Sequence, residues 1–171
     1  MLINVIIFGI VLFLLVFLSM IWPPDSPWAP WWRTNKKIAK AICKLAKISA
    51  KDVVFDLGCG DGEVLIQSAK LGASGIGIEI DPTRAIVARL RIAKNNLQDK
   101  ILIKRENFFK EDISKASVVI VYLVPSALKK LLPKFKKELK RGTRIVSFIY
   151  EIDGLAESKT DPKNRLRMYV I

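Results

Sequence analysis

The run Val53-Val54-Phe55-Asp56-Leu57-Gly58-Cys59-Gly60-Asp61-Gly62 constrains this chain more than any other segment. An apolar strand ends on an acid, enters a glycine-rich turn, and gives way to a helical pattern at Glu63. Further on, Ile76-Gly77-Ile78-Glu79-Ile80-Asp81 is a second apolar strand ending on acids. Glycines at 58, 60 and 62 tolerate positive φ and let a ligand lie against bare backbone. The helix that follows points its free N–H groups at that ligand. Glu79 stands where an acid ending a second Rossmann-type strand bonds ribose hydroxyls. The segment therefore predicts a nucleoside-bearing cofactor. The plain alternative, a glycine turn in an unrelated α/β protein, does not account for the two strand-terminal acids.

A dinucleotide site would carry Gly-x-Gly-x-x-Gly, but the third glycine of that spacing falls on Glu63. Asp56 would repel a pyrophosphate, whereas it suits the cationic amino group of a methionine moiety. These details favour S-adenosylmethionine (SAM).

The 171 residues are enough for one domain and a short addition. That addition lies at the front: Leu2 to Trp22 carries no charge and is almost entirely apolar, long enough to span a bilayer as a helix. It lacks a basic n-region and small cleavage-site residues, so the expectation is an uncleaved anchor at 1–22. Residues 23–34 read as a linker rich in proline and tryptophan, with all four tryptophans (Trp22, Trp28, Trp31, Trp32) just after the span. Residues 35–171 are the expected catalytic domain. Arg33, Lys36, Lys37, Lys40, Lys44 and Lys47 follow the span with no acid among them, which places the domain on the cytoplasmic side of a single-pass membrane protein.

The net charge is +13 and there is no histidine, which removes His-based triads and most zinc chemistry. Cys43 and Cys59 read as reduced thiols, and no metal site is expected. The basic balance suits nucleic acid, anionic lipid head groups or simply a solvated surface.

Ile38, Ile42 and Leu45 recur at helical spacing, predicting a helix over 35–48 with Thr34 as N-cap. Strand 53–57, a helix near 63–71 and strand 75–80 follow. Asp81-Pro82 opens a further helix, with Ile86, Leu90 and Leu97 expected inward. Further strands are expected at 101–104, 117–123, 144–150 and 166–171. Between the fourth and fifth, Leu128, Leu131, Leu132, Phe135 and Leu139 define an amphipathic helix with a basic outer face, interrupted at Pro133. Strands alternating with helices imply a parallel sheet covered on both faces, with the ligand at the carboxyl ends of its strands.

Asp56 to Gly62 resembles the first signature of the seven-stranded, Rossmann-like SAM-dependent methyltransferases. Gly77-Ile78-Glu79-Ile80-Asp81-Pro82 and Glu106-Asn107-Phe108-Phe109 resemble their ribose and adenine motifs. Leu123-Val124-Pro125-Ser126 opening a helix, together with the apolar front, is similar to the ATP-synthase c-subunit lysine N-methyltransferases and their archaeal protein-lysine relatives. The resemblance implies that Asp56, Gly58, Cys59 and Gly60 hold the methionine end and that Glu79 binds the ribose. Ile80 would lie against the adenine, Asn107 would contact its amine, and Phe108 would wall the ring. Tyr122 through Ser126 would line the acceptor entrance, with Tyr122 and Pro125 as candidate catalytic positions. Asn107 replaces the acid that the relatives usually carry. Of their Pro-Thr-Pro lid only Thr34 persists, within Trp32-Arg33-Thr34-Asn35.

In-line attack by an acceptor nitrogen on a sulfonium methyl depends mainly on alignment. Desolvation in an apolar channel lowers a lysine's pKa, so no dedicated base is required. Protein-lysine methylation of a membrane or membrane-proximal protein is the leading expectation. Methylation of a lipid head group or small amphiphile is the alternative. RNA methylation and non-catalytic SAM binding are less favoured.

Overall fold

The structure, a computed structural model, describes residues 2–21 and 33–171. The expected linker prolines and all four tryptophans lie outside the described residues. Five strands run parallel: β1 (Val53–Leu57), β2 (Ser74–Ile78), β3 (Ile101–Lys104), β4 (Val118–Val121) and β5 (Arg144–Phe148). With β6 (Glu157–Asp161) and β7 (Leu166–Val170) they form a seven-stranded sheet ordered β3-β2-β1-β4-β5-β7-β6, in which β7 is antiparallel to both neighbours.

The central strands β1 and β4 are apolar except for Asp56 because helices cover both faces of the sheet. Val54, Val118 and Ile120 pack with α2 (Lys36–Leu45), α3 (Glu63–Lys70) and α4 (Pro82–Lys94). Phe55, Val119 and Val121 point to the other face, against α5 (Pro125–Glu138). Strand order reverses between β1 and β4, so the loops leaving their carboxyl ends diverge and open a crevice.

Several local expectations are corrected. The N-cap of α2 is Asn35, whose Oδ1 accepts the Ile38 N–H at 3.0 Å; Thr34 instead lines the crevice. On α4 the inward face is Arg84, Ala85, Ala88 and Ile92, while Ile86 and Leu90 are 53% and 65% exposed. The cause is proximity: a Cβ on Gly62 would lie 3.5 Å from Ala88 Cβ, so only small side chains fit between this helix and the glycine turn. Leu97 is partly buried against the same core. Helix α5 continues through Pro133, which lies on its exposed side, where water satisfies the carbonyl that proline leaves unpaired. Strand β6, Glu-Ser-Lys-Thr-Asp, is an exposed polar edge with no hydrophobic pattern to betray it.

Helix α1 (Leu2–Ile21) runs for 20 residues without a charge. Its side chains are described from Ile3 to Leu18 and are all exposed. Over the described residues no helix is long and apolar enough to cross a membrane, so the expected span is not established by the fold.

Candidate active site

The site is built at the carboxyl ends of β1, β2 and β4. After Leu57 the chain turns through Gly58 at φ +83°, a conformation that side chains rarely adopt. The Gly58 and Cys59 N–H groups both donate to the Ile78 carbonyl, at 2.8 and 3.1 Å, tying the turn to the end of β2. A Cβ on Gly77 would fall 2.6 Å from Ile103 Cδ1 and 2.7 Å from both Cys59 Sγ and Leu65 Cδ1. Glycine at 77 thus makes room for Cys59 rather than supplying a turn.

Glu79 is 4% exposed and is fixed by two backbone donors: Gly60 N–H to Oε2 at 2.9 Å and Asp81 N–H to Oε1 at 3.0 Å. A carboxylate has about four acceptor sites, so each oxygen keeps one for a ligand hydroxyl. Burial raises its pKa, opposed by those bonds and by Arg84. Asp56, 5% exposed at the end of β1, has no hydrogen bond or ion pair among the described residues. Burial first, then the neighbouring Glu79 and Asp61 carboxylates, push its pKa up to about 7. Burial, then the Asp56, Glu79 and Asp61 carboxylates, raise the Cys59 thiol well above its ordinary value, keeping it protonated.

Three arginines complete the site, and none carries a signal in the sequence. Asp61 pairs with Arg33 Nε and with Arg91 Nη1, each at 2.6 Å. Arg91 also pairs with Glu63 and donates to the Asp61 carbonyl at 2.9 Å, fastening the turn to α4. Arg33 fastens the segment before α2 across the same turn, bringing Thr34 to the crevice wall. Arg84, buried at the start of α4, lines the crevice beside Glu79.

The crevice is narrow, enclosing about 70 Å³ of free space. It brings together Asp56, Gly58, Cys59, Gly60, Glu79, Ile80, Phe108 and Tyr122. Asn107 and Pro125 are not among its lining residues: Asn107 Oδ1 caps its own turn by accepting Phe109 N–H at 3.0 Å, and Pro125 is the exposed first residue of α5. At the far end, the Tyr122 and Phe148 rings lie 4.5 Å apart at 52°. Ile149 takes φ +73°, rare for a β-branched residue. Its N–H donates to Arg165 O at 2.8 Å and its carbonyl accepts from Arg167 at 3.0 Å. Burial, then the adjacent Tyr150, raises the pKa of the Tyr122 hydroxyl, so it remains a phenol at neutral pH.

SAM fits this donor set. A buried carboxylate without a partner at Asp56 calls for a cation, and a clamped carboxylate at Glu79 calls for hydroxyl donors. Phe108 and Ile80 supply apolar walls for a base. Sheet order, reversed β7, glycine turn and the acid after β2 together define a SAM-dependent methyltransferase. The chain belongs to the ANTKMT methyltransferase-domain family, whose model matches residues 56–159. It is 40% identical over 137 residues to a protein-lysine N-methyltransferase of Saccharolobus islandicus, covering 79% of this chain and 83% of that one. It is 25% identical to an ATP-synthase c-subunit lysine N-methyltransferase of Caenorhabditis elegans, covering 66% of this chain and only 59% of the relative. A solved RNA methyltransferase from Salinibacter ruber, in complex with S-adenosyl-L-homocysteine, superposes with a TM-score of 0.79 at 33% identity, covering 82% of this chain and 94% of that one.

Proposed function

We propose that this enzyme methylates protein lysine and does so at a membrane. The observation that carries the acceptor reading is the mouth formed by Tyr122 and Phe148. The two tilted rings attract an ammonium by its charge, and desolvation against them then favours its neutral form. Bound SAM supplies a methyl group on a cationic sulfur. Asp56 would hold the ligand's amino group and Glu79 its ribose. The Tyr122 oxygen accepts a hydrogen bond from the incoming amine and turns its lone pair toward that methyl; the amine has already given its proton to water. The archaeal relative named a protein-lysine N-methyltransferase supports this reading.

Membrane anchoring, with the domain on the cytoplasmic side, is supported by the composition of α1, which carries no charge over 20 residues. The lysines after it have the sign expected of a cytoplasmic flank. A lipid head group or small amphiphile is the alternative acceptor. A second reading, RNA as acceptor, is favoured by the name of the Salinibacter neighbour and by the net charge of +13.

The test is to incubate the full chain with methyl-labelled SAM, a membrane extract and total RNA, then separate protein, lipid and RNA. Label in protein, released as methyl-lysine on hydrolysis, is expected. Label confined to lipid or to RNA contradicts the lysine reading.

A further inference from the structure

Helix α2 lines a second cleft, which shares no lining residue with the active-site crevice. Lys36, Lys40, Lys44 and Lys47 line it from α2 and the residues just after, Lys70 from the end of α3, and Leu71 from the turn beyond. Its free volume is about 520 Å³ and no acidic residue lines it. All five lysines are exposed, and among the described residues none has a carboxylate within ion-pair distance. Lys36, Lys40 and Lys44 are each one helical turn apart, where like charges repel and weaken a helix. No acid occurs between Arg33 and Lys51 to relieve them, and the first one, Asp52, is already taken by Arg144. Among the described residues no packing or ion pair of the fold accounts for this arrangement, and an anionic partner would relieve it.

Two observations and one general rule favour a lipid surface as that partner. The apolar α1 ends at Ile21, with fourteen residues between it and Lys36, so even a fully extended connection keeps the lysines within about 50 Å of its end. Leu71 is 50% exposed at the rim, an apolar side chain among cations. Basic clusters next to an apolar anchor are drawn to anionic leaflets.

We propose that this cleft seats the phosphate groups of anionic lipid head groups and docks the catalytic domain against the bilayer through α2 and Leu71. The proposal rests on the membrane reading above, and one experiment separates the two. The full chain is placed in nanodiscs of phosphatidylcholine or of phosphatidylcholine with phosphatidylserine, and each lysine's acetylation rate is read by mass spectrometry. Co-fractionation with neutral discs reports the α1 anchor by itself. The cleft is read by Lys36, Lys40, Lys44, Lys47 and Lys70, whose labelling falls severalfold in anionic discs. It recovers at about 1 M salt, where the Debye length is about 3 Å, while Lys129, Lys136 and Lys137 on α5 do not change. K40E/K44E abolishes the protection of the other three lysines without altering SAM affinity. Equal labelling in the two disc types overturns the proposal. So does protection of the same lysines by inorganic phosphate alone, or by an RNA oligonucleotide in neutral discs when anionic lipid gives none.

Discussion

Asp56 links cofactor binding to pH. It is 5% exposed, and burial with the adjacent Glu79 and Asp61 raises its pKa from 3.8 to about 7. Without ligand the folded domain holds this proton well above the pH at which the unfolded chain releases it. Between these values the native state binds more protons, so stability falls as pH rises from about 4 to about 7 and is then flat for this group. A bound ammonium reverses the preference and expels the proton. SAM affinity should therefore weaken about tenfold for each pH unit below 7, and level off above it. Asp56→Asn keeps the shape and removes the charge. Losing one charge-assisted contact of about 1.5–3 kcal/mol weakens SAM binding about 10- to 150-fold at pH 8, while the ligand-free variant becomes more stable than the parent. Calorimetry across pH 5.5–8 and thermal denaturation of both proteins would read the two effects. Affinity that is flat with pH, or an acid limb that persists in Asp56→Asn, would refute the assignment and pass the proton to Glu79.

Three further outcomes test neighbouring parts of the site. Gly77→Ala places a methyl 2.6–2.7 Å from Ile103, Cys59 and Leu65, an overpacking that costs about 1–3 kcal/mol; a lowered melting temperature with weaker SAM binding is expected, and an unchanged one contradicts the packing. Arg33→Ala releases the segment over the turn. Because Arg33 is 59% exposed, stability should move by less than about 1 kcal/mol while the KM for SAM rises severalfold. Tyr122→Phe keeps the contact with Phe148 and deletes the hydroxyl, so kcat should fall about tenfold or more with SAM affinity unchanged; unchanged kcat would make Tyr122 a packing residue.

What the sequence revealed, and what it concealed, has a physical pattern. The glycine turn and Glu79 were legible because φ > 0 and a strand-terminal acid are local demands, met by residue type at fixed spacing. The parallel core was legible through its apolar strands. Arg33, Arg84 and Arg91 were not, because an arginine in a polar string looks the same whether it faces water or reaches Asp61 from 28 or 30 residues away. The α4 face misled because close approach to Gly62 requires a small residue at Ala88, which leaves Ile86 and Leu90 facing outward. Strand β6 has no apolar side to announce it, since it lies exposed at the sheet edge and is held to β7 by backbone pairing and the Arg167–Glu157 ion pair.

The central claim is that two buried carboxylates hold SAM with its methyl facing Tyr122. A crystal structure of the chain with S-adenosylhomocysteine tests it most directly. Both ribose hydroxyls should lie about 2.6–3.2 Å from the Glu79 oxygens, with the amino group on the Asp56 side and the sulfur toward Tyr122. A ligand that leaves Glu79 free, or that turns its adenine toward Tyr122, would contradict the account.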